Sequence, residues 1–144
     1  MLSLNFSILG TPTGKGRPRF YRGRAVTPKK TRDYEALVRH EAQQALEHMV
    51  QLPDFNASCE VTIHAYFAIP QSYTKKKRAQ IEESGPWLVR PGKIDLDNVV
   101  KSILDGMNGI VYHDDVQVVA LRARKEWCPD DEQPRVEVKV EWGD

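Results

Sequence analysis

Between Cys59 and Ile69 the chain alternates without a break. Cys59, Val61, Ile63, Ala65, Phe67 and Ile69 fall on one side, and Glu60, Thr62, His64 and Tyr66 on the other. Successive side chains of an extended segment leave the backbone on opposite faces, so this pattern is that of a strand with one apolar face. Its β-branched and aromatic content favours that state, and Pro70, which has no N–H for a ladder, ends it. One strand cannot hide an apolar face by itself. It needs neighbours on its edges and a covering layer, which makes it the expected central strand of a sheet.

Candidates for both are present. Leu2, Leu4, Phe6 and Ile8 alternate with Ser3, Asn5 and Ser7 as a first strand, and Val136, Val138, Val140 and Trp142 alternate with Glu137, Lys139 and Glu141 as a last one. Between them, Val119, Leu121, Ala123 and Trp127 share a face, with Arg122 and Arg124 opposite beside Val116 and Val118. The acidic turn from Cys128 to Pro134 predicts that this strand and the last one form a C-terminal hairpin. Tyr34, Leu37, Val38, Ala42, Ala45, Leu46 and Met49 form one helical stripe. Its expected start is Thr27-Pro28, a cap followed by proline at the first position, with Thr31 as a later alternative. Ser72 to Ser84 reads as a short polar helix closed by Gly85 and Pro86; its Lys75, Lys76, Lys77 and Arg78 are balanced in part by Glu82 and Glu83. The expected fold class is therefore α+β: a small single domain spanning residues 1–144, with a mixed sheet of about four strands and about three helices.

Composition excludes some classes. At 40% hydrophobic and 28% charged residues, with no apolar run approaching a membrane span or signal peptide, the chain reads as an ordinary globular protein, expected in the cytoplasm with no membrane partner. Cys59 and Cys128 lack the spacing of a zinc site or disulfide framework. His40 and His48 have no partner spacing, and His113 reads as a surface imidazole. The net charge of +1 conceals a strong polarity: no Asp or Glu precedes Asp33, while Lys15, Arg17, Arg19, Arg22, Arg24, Lys29, Lys30 and Arg32 all fall in that opening segment. Glycines and prolines from Gly10 to Pro18 break helix and central strand alike, so these cations are presented from a loop. It is not a phosphate-cradling P-loop, because GTPTGKG lacks the Gly-Lys-Ser/Thr ending. Interleaved with Phe20 and Tyr21, the arginines suit phosphate contact with stacking, and a DNA interface is expected. A solvated basic face is the plainer alternative.

The stretch most suited to chemistry is Lys93 to Asp115, KIDLDNVVKSILDGMNGIVYHDD. Asp95 and Asp97 are one residue apart, so in an extended segment both carboxylates leave on one face and repel unless a cation sits between them. From Asp97 the period turns helical, with Val100, Ile103, Leu104 and Met107 as the stripe and Gly106 and Gly109 as stop signals. Lys101, four residues after Asp97, stands above that carboxylate, and Asp105 is one turn further on. Asp114 and Asp115 follow the helix and precede a strand. Singly, each has an ordinary reading: Asp97 as a helix cap, Lys101 and Asp105 as an exposed pair contributing roughly 0.3–0.5 kcal/mol. Together, carboxylates from two strand ends can converge on an oxygen-only site of the kind hard cations prefer.

These residues carry a resemblance. Lys93-Ile-Asp95-Leu-Asp97-Asn98-Val-Val-Lys101, then Leu104-Asp105-Gly-Met-Asn108-Gly109 and Asp114-Asp115, resemble the signature of the RusA family of Holliday junction resolvases. The likeness extends to the N-terminal Gly10-Thr-Pro12-Thr-Gly14-Lys15-Gly16-Arg17-Pro18-Arg19-Phe20 and to Thr27-Pro28-Lys29-Lys30. The family's members are small homodimeric endodeoxyribonucleases, often encoded by phages or prophages.

The resemblance implies a structure-specific, metal-dependent endonuclease that resolves four-way DNA junctions by paired phosphodiester hydrolysis in recombination and repair. Asp95, Asp97 and Asp115 would bind Mg²⁺, with Mn²⁺ as a substitute and Asp114 as an additional carboxylate. Asp115 is favoured over Asp114 by its place in the motif. Lys101 would donate to a phosphate oxygen or orient the water. Lys15, Arg17, Arg19, Arg22, Arg24, Lys29, Lys30 and Lys93 would grip branched DNA, and a homodimer would match the junction's two-fold symmetry. Two alternatives remain open: a junction-binding protein without catalysis, and a less selective metal-dependent nuclease or phosphohydrolase.

Overall fold

In the computed structural model, which describes residues 1–143, the chain runs β1 (Leu2–Leu9), β2 (Arg19–Tyr21), β3 (Arg24–Val26), α1 (Lys29–Glu47), β4 (Cys59–Ala68), α2 (Lys75–Ser84), α3 (Leu96–Met107), β5 (Val118–Cys128) and β6 (Arg135–Trp142), with 3-10 turns at Gly85–Trp87 and Asp115–Gln117. The fold is α+β, a small single domain built on a mixed four-stranded sheet, as expected. Asp144, the last residue of the expected domain, lies outside the described residues.

The main sheet has the order β1-β6-β4-β5, antiparallel except for the parallel β4–β5 pair. Register aligns the apolar positions of three strands into rows: Leu4, Val140 and Val61; Phe6, Val138 and Ile63; Ile8, Val136 and Ala65. All of these side chains are buried. They are covered on one side by α1, through Tyr34, Val38 and Ala42, and by α3, through Val99, Val100, Ile103 and Met107. Removing each large apolar side chain from water is worth about 1.5–3 kcal/mol, so the rows and the two helices are the main source of stability. The opposite face carries Asn5, Ser7, Thr62, His64, Glu137 and Lys139 and lines only a shallow groove.

The two helices touch closely because of one residue. A Cβ added at Gly106 would meet Val38 at 2.7 Å and the Glu35 carbonyl at 3.1 Å. Gly106, expected as a stop signal, is instead a buried contact inside α3, which runs on to Met107 and is followed by Gly109 at φ +76°.

Other boundaries differ from expectation as well. The predicted C-terminal hairpin does not form: β6 inserts between β1 and β4, and β5 pairs in parallel with β4 on its other side. The reason lies in the side chains. β6 is apolar at every second residue and fills an interior position, whereas β5, with Arg122, Arg124, Lys125 and Glu126, tolerates an edge. α1 begins at Lys29 with Pro28 in the cap position, one residue later than expected, and α2 begins at Lys75, where the Thr74 hydroxyl caps the Lys77 N–H at 3.2 Å. The segment Arg19–Val26 forms a small β2–β3 hairpin that was not among the expected elements. Its turn, Arg22 and Gly23, has positive φ at both positions (52° and 76°), the geometry that matches strand twist. The two cysteines are buried and free, so no disulfide links them. Among the described residues no helix is long and apolar enough to cross a membrane.

Candidate active site

α3 begins at a different residue from the one a cap at Asp97 would require. Asp95, extended at φ −65° and ψ 136°, holds the N-cap position, and Asp97 lies inside the first turn. The two carboxylates are thus not neighbours on one strand face. Asp95 accepts the capping bonds from Asn98 and Val99 N–H through its carbonyl, while its side chain makes no capping bond. That carboxylate is therefore not consumed by ending the helix. Lys101 stands 4.0 Å from the Asp97 carboxylate, both side chains being mostly exposed, as the four-residue spacing required.

The basic loop is tied down against this helix. The Lys15 N–H donates to the Asn98 carbonyl at 2.9 Å, and the buried Ser102 hydroxyl donates to the Thr13 carbonyl at 2.8 Å. The Gly16 N–H donates to the buried Thr31 hydroxyl of α1 at 2.9 Å. At Gly14 a Cβ would reach Ile94 at 2.5 Å, so only glycine allows the loop to lie this close. The Lys15 ammonium bonds to Asp105 and lies 3.8 Å from Glu35; the bond to Asp105 raises its pKa against the opposing effect of burial.

The outcome is an open cleft of about 630 Å³ lined by Lys15, Arg17, Arg19, Lys30 and Lys93, with Asp95 and Asn98. Arg22 and Arg24 stand on the exposed β2–β3 hairpin, and Lys29 pairs with Asp33 at 2.9 Å on α1; these three do not line it.

In the segment that follows α3, before β5, the two C-terminal aspartates take different parts. Asp114 caps the turn before β5: its carboxylate accepts the Val116 N–H at 2.9 Å, which holds its pKa below the usual range. Gln117 completes the box by accepting the His113 and Asp114 N–H groups and anchors it by donating to the carbonyls of Phe55 and Ala57. Asp115 is pushed up, first by a hydrogen bond shared with Asp114, then by burial and by the charges of Asp114 and Asp105. The donors are all carboxylate oxygens, which fits a hard ion such as Mg²⁺. Geometrically the set is open: among the described residues, no three His, Cys, Asp or Glu side chains close around a point that could hold a metal, Asp95, Asp97 and Asp115 included.

Lys125 was missed by the sequence reading. It lies opposite Ala65 in the β4–β5 register, so it faces the helical layer with Ala123 and Trp127 rather than the exposed side with Arg122 and Arg124. Its ammonium donates to the Ile94 carbonyl at 2.8 Å, immediately before Asp95. Burial, with Arg90 adding repulsion and Asp95 opposing, lowers its pKa. The signal was available as a charge at an odd-numbered position of an otherwise apolar strand face.

Compared with known proteins, residues 10–141 match the family model described as "Endodeoxyribonuclease RusA". The chain is also 33% identical over 145 residues to "Uncharacterized protein YqaN" of Bacillus subtilis (strain 168), an alignment covering 95% of this chain and 94% of that protein.

Proposed function

This chain belongs to the RusA endodeoxyribonuclease family, and from that premise we propose that it is a Mg²⁺-dependent endodeoxyribonuclease that resolves four-way DNA junctions as a homodimer. The observation that carries this reading is the cleft in which a row of cations runs into the start of α3 and Asp95 is the one carboxylate among the lining residues. Such a wall binds a phosphodiester backbone, and Asp95 supplies the first carboxylate the chemistry needs.

Asp95, Asp97 and Asp115 would hold the ion, with Asp114 as an additional carboxylate and Mn²⁺ as a substitute. When bound, the ion supplies a water made nucleophilic at neutral pH and neutralises charge on the phosphoryl oxygens. Lys101 donates to a phosphate oxygen or orients the water beside Asp97. Arg17, Arg19, Lys30 and Lys93 hold the strand in register, and Lys15 and Lys125 fix the two segments that carry the cleft wall and Asp95. Two copies related by a two-fold axis would present two such sites to opposed strands of a junction.

A second reading, a branched-DNA-binding protein that does not cut, is favoured by one observation: Asp97 is paired with Lys101 and Asp114 is engaged in its cap, so two of the carboxylates already have partners. One experiment separates the two. Synthetic four-way junction and linear duplex are incubated with wild type and Asp97→Asn, in Mg²⁺ and in EDTA. Paired, Mg²⁺-dependent nicks across the junction, absent in the variant, establish the resolvase. Binding without cleavage establishes the second reading, and equal cutting of duplex a less selective nuclease.

A further inference from the structure

A second cleft, of about 750 Å³, lies between the end of β4, α2 and the segment Leu88–Lys93. Its wall is unusual in composition. Tyr73 and Trp127 supply aromatic surface beside the buried Phe67, Lys77, Arg90 and Lys93 supply positive charge, and no carboxylate lines it.

The aromatic groups are held in place. Phe67 and Trp127 are register partners across β4 and β5. Tyr73 meets Trp127 edge to face at 5.9 Å, and the Lys77 ammonium sits 3.9 Å over the Tyr73 ring. The Trp127 indole donates to the Val89 carbonyl at 2.8 Å, and the Arg90 guanidinium to the Gly92 carbonyl at 2.8 Å. Gly92, at φ +65°, lets the backbone lie on Phe67, where a Cβ would come within 2.7 Å of the ring. The cleft is thus built before any ligand arrives, which lowers the entropic cost of filling it. Lys93 lines both this cleft and the one lined by Asp95, so its side chain stands between the two.

We propose that this second cleft is a nucleotide pocket, which takes one unpaired nucleotide of the bound DNA with its base against the aromatic wall and its phosphate toward Lys77 and Lys93. The inference rests on the reading of the chain as a branched-DNA nuclease. An aromatic wall offers a stacking surface that accepts any base, and the neighbouring cations track the backbone, the pairing used by proteins that bind single strands. A base stacked inside a duplex cannot reach such a wall, so the pocket selects DNA whose bases are already unpaired or easily unstacked, as at a branch point. The Gln80 amide, also on the wall, adds a donor and an acceptor for a base edge.

The test is binding in EDTA, where nothing is cut. Fluorescent oligothymidylate and blunt duplex of equal length are titrated at one salt concentration with wild type, Tyr73→Leu and Tyr73→Phe, each checked for an unchanged melting temperature. Tyr73→Leu is expected to weaken single-strand binding about ten-fold and duplex binding by less than about two-fold, with Tyr73→Phe close to wild type. In parallel, a single strand carrying 5-iododeoxyuridine is photo-crosslinked to the wild type, and the expected adduct is on a peptide containing Tyr73 or Trp127. Equal weakening of both DNAs, or adducts confined to the Gly10–Arg19 loop, would overturn the proposal. The crosslink needs no variant, so a variant that fails to fold leaves the test intact. Because no cleavage is read, failure here is distinct from failure of the nuclease assay.

Discussion

Lys15 and Asp105, 90 residues apart in sequence, meet in a partly buried salt bridge, with Glu35 3.8 Å from the same ammonium. The bridge pins the basic loop to both long helices and draws off part of the negative charge that faces Asp115. Lys15→Ala, which leaves two carboxylates unpaired, should destabilise the protein by about 1–2 kcal/mol, while Asp105→Asn should cost about half as much because Glu35 remains for Lys15. Urea unfolding of both variants and of the pair measures this. Equal losses would show that Glu35 takes no part.

The close approach of α1 and α3 at Gly106 predicts a larger effect. Gly106→Ala gains helix propensity, yet places a methyl group 2.7 Å from Val38. A net destabilisation of about 1–3 kcal/mol is expected, the usual range for overpacking. A melting temperature at or above the wild type's would refute it.

Lys101 contributes little to folding, since its pair with Asp97 is mostly exposed. Lys101→Ala should leave stability within about 0.5 kcal/mol and junction binding near wild type, while single-turnover cleavage in Mg²⁺ slows about 100-fold. Unchanged cleavage would remove it from the mechanism.

The cationic cleft predicts a salt signature. Replacing Arg17 or Lys30 by alanine should reduce the slope of log affinity against log salt by about 0.9 for each phosphate that is no longer neutralised, on junction and duplex alike. Lys29→Ala, at a residue paired with Asp33 and outside the cleft, should leave the slope unchanged. Titrations at several salt concentrations compare the three.

Stability should fall at alkaline pH. Burial pushes the Tyr34 phenol up to about 12 and raises Tyr112 further, and the bond to Asp105 raises Lys15. Each of these groups holds its proton more tightly folded than unfolded. Their contribution is complete below the unfolded values near pH 10, and is lost as pH rises toward and through the folded ones. Melting temperature should therefore decline from about pH 10 upward, with phenolate absorbance from the two buried tyrosines appearing at higher pH than that of the exposed ones. Titration of every tyrosine together near pH 10 in the folded protein would contradict this.

Much of this was legible from local pattern. The alternation of Cys59–Phe67 marks β4, since a half-buried strand repeats every two residues, and the Asp97–Lys101 proximity follows from the helical repeat. Legibility failed where a residue's part depends on a distant partner. Gly106 reads as a terminator until Val38 is seen against it. Asp114 and Asp115 look alike in sequence, and only the turn into β5 makes one a cap and lifts the other's pKa. Lys125 looks like a surface cation among its neighbours until β4 fixes the side it faces.

The sequence by itself determined the half-buried strands, the helical stripes, the polarity of charge and the spacing of the aspartates and Lys101. All are properties of interactions within a few residues. Strand order, the closeness of the loop to α3, the sharing of Lys93 between two clefts and the open arrangement of the carboxylates were decided only by the tertiary structure. They follow from which apolar faces bury one another best, and that competition is settled across the whole chain.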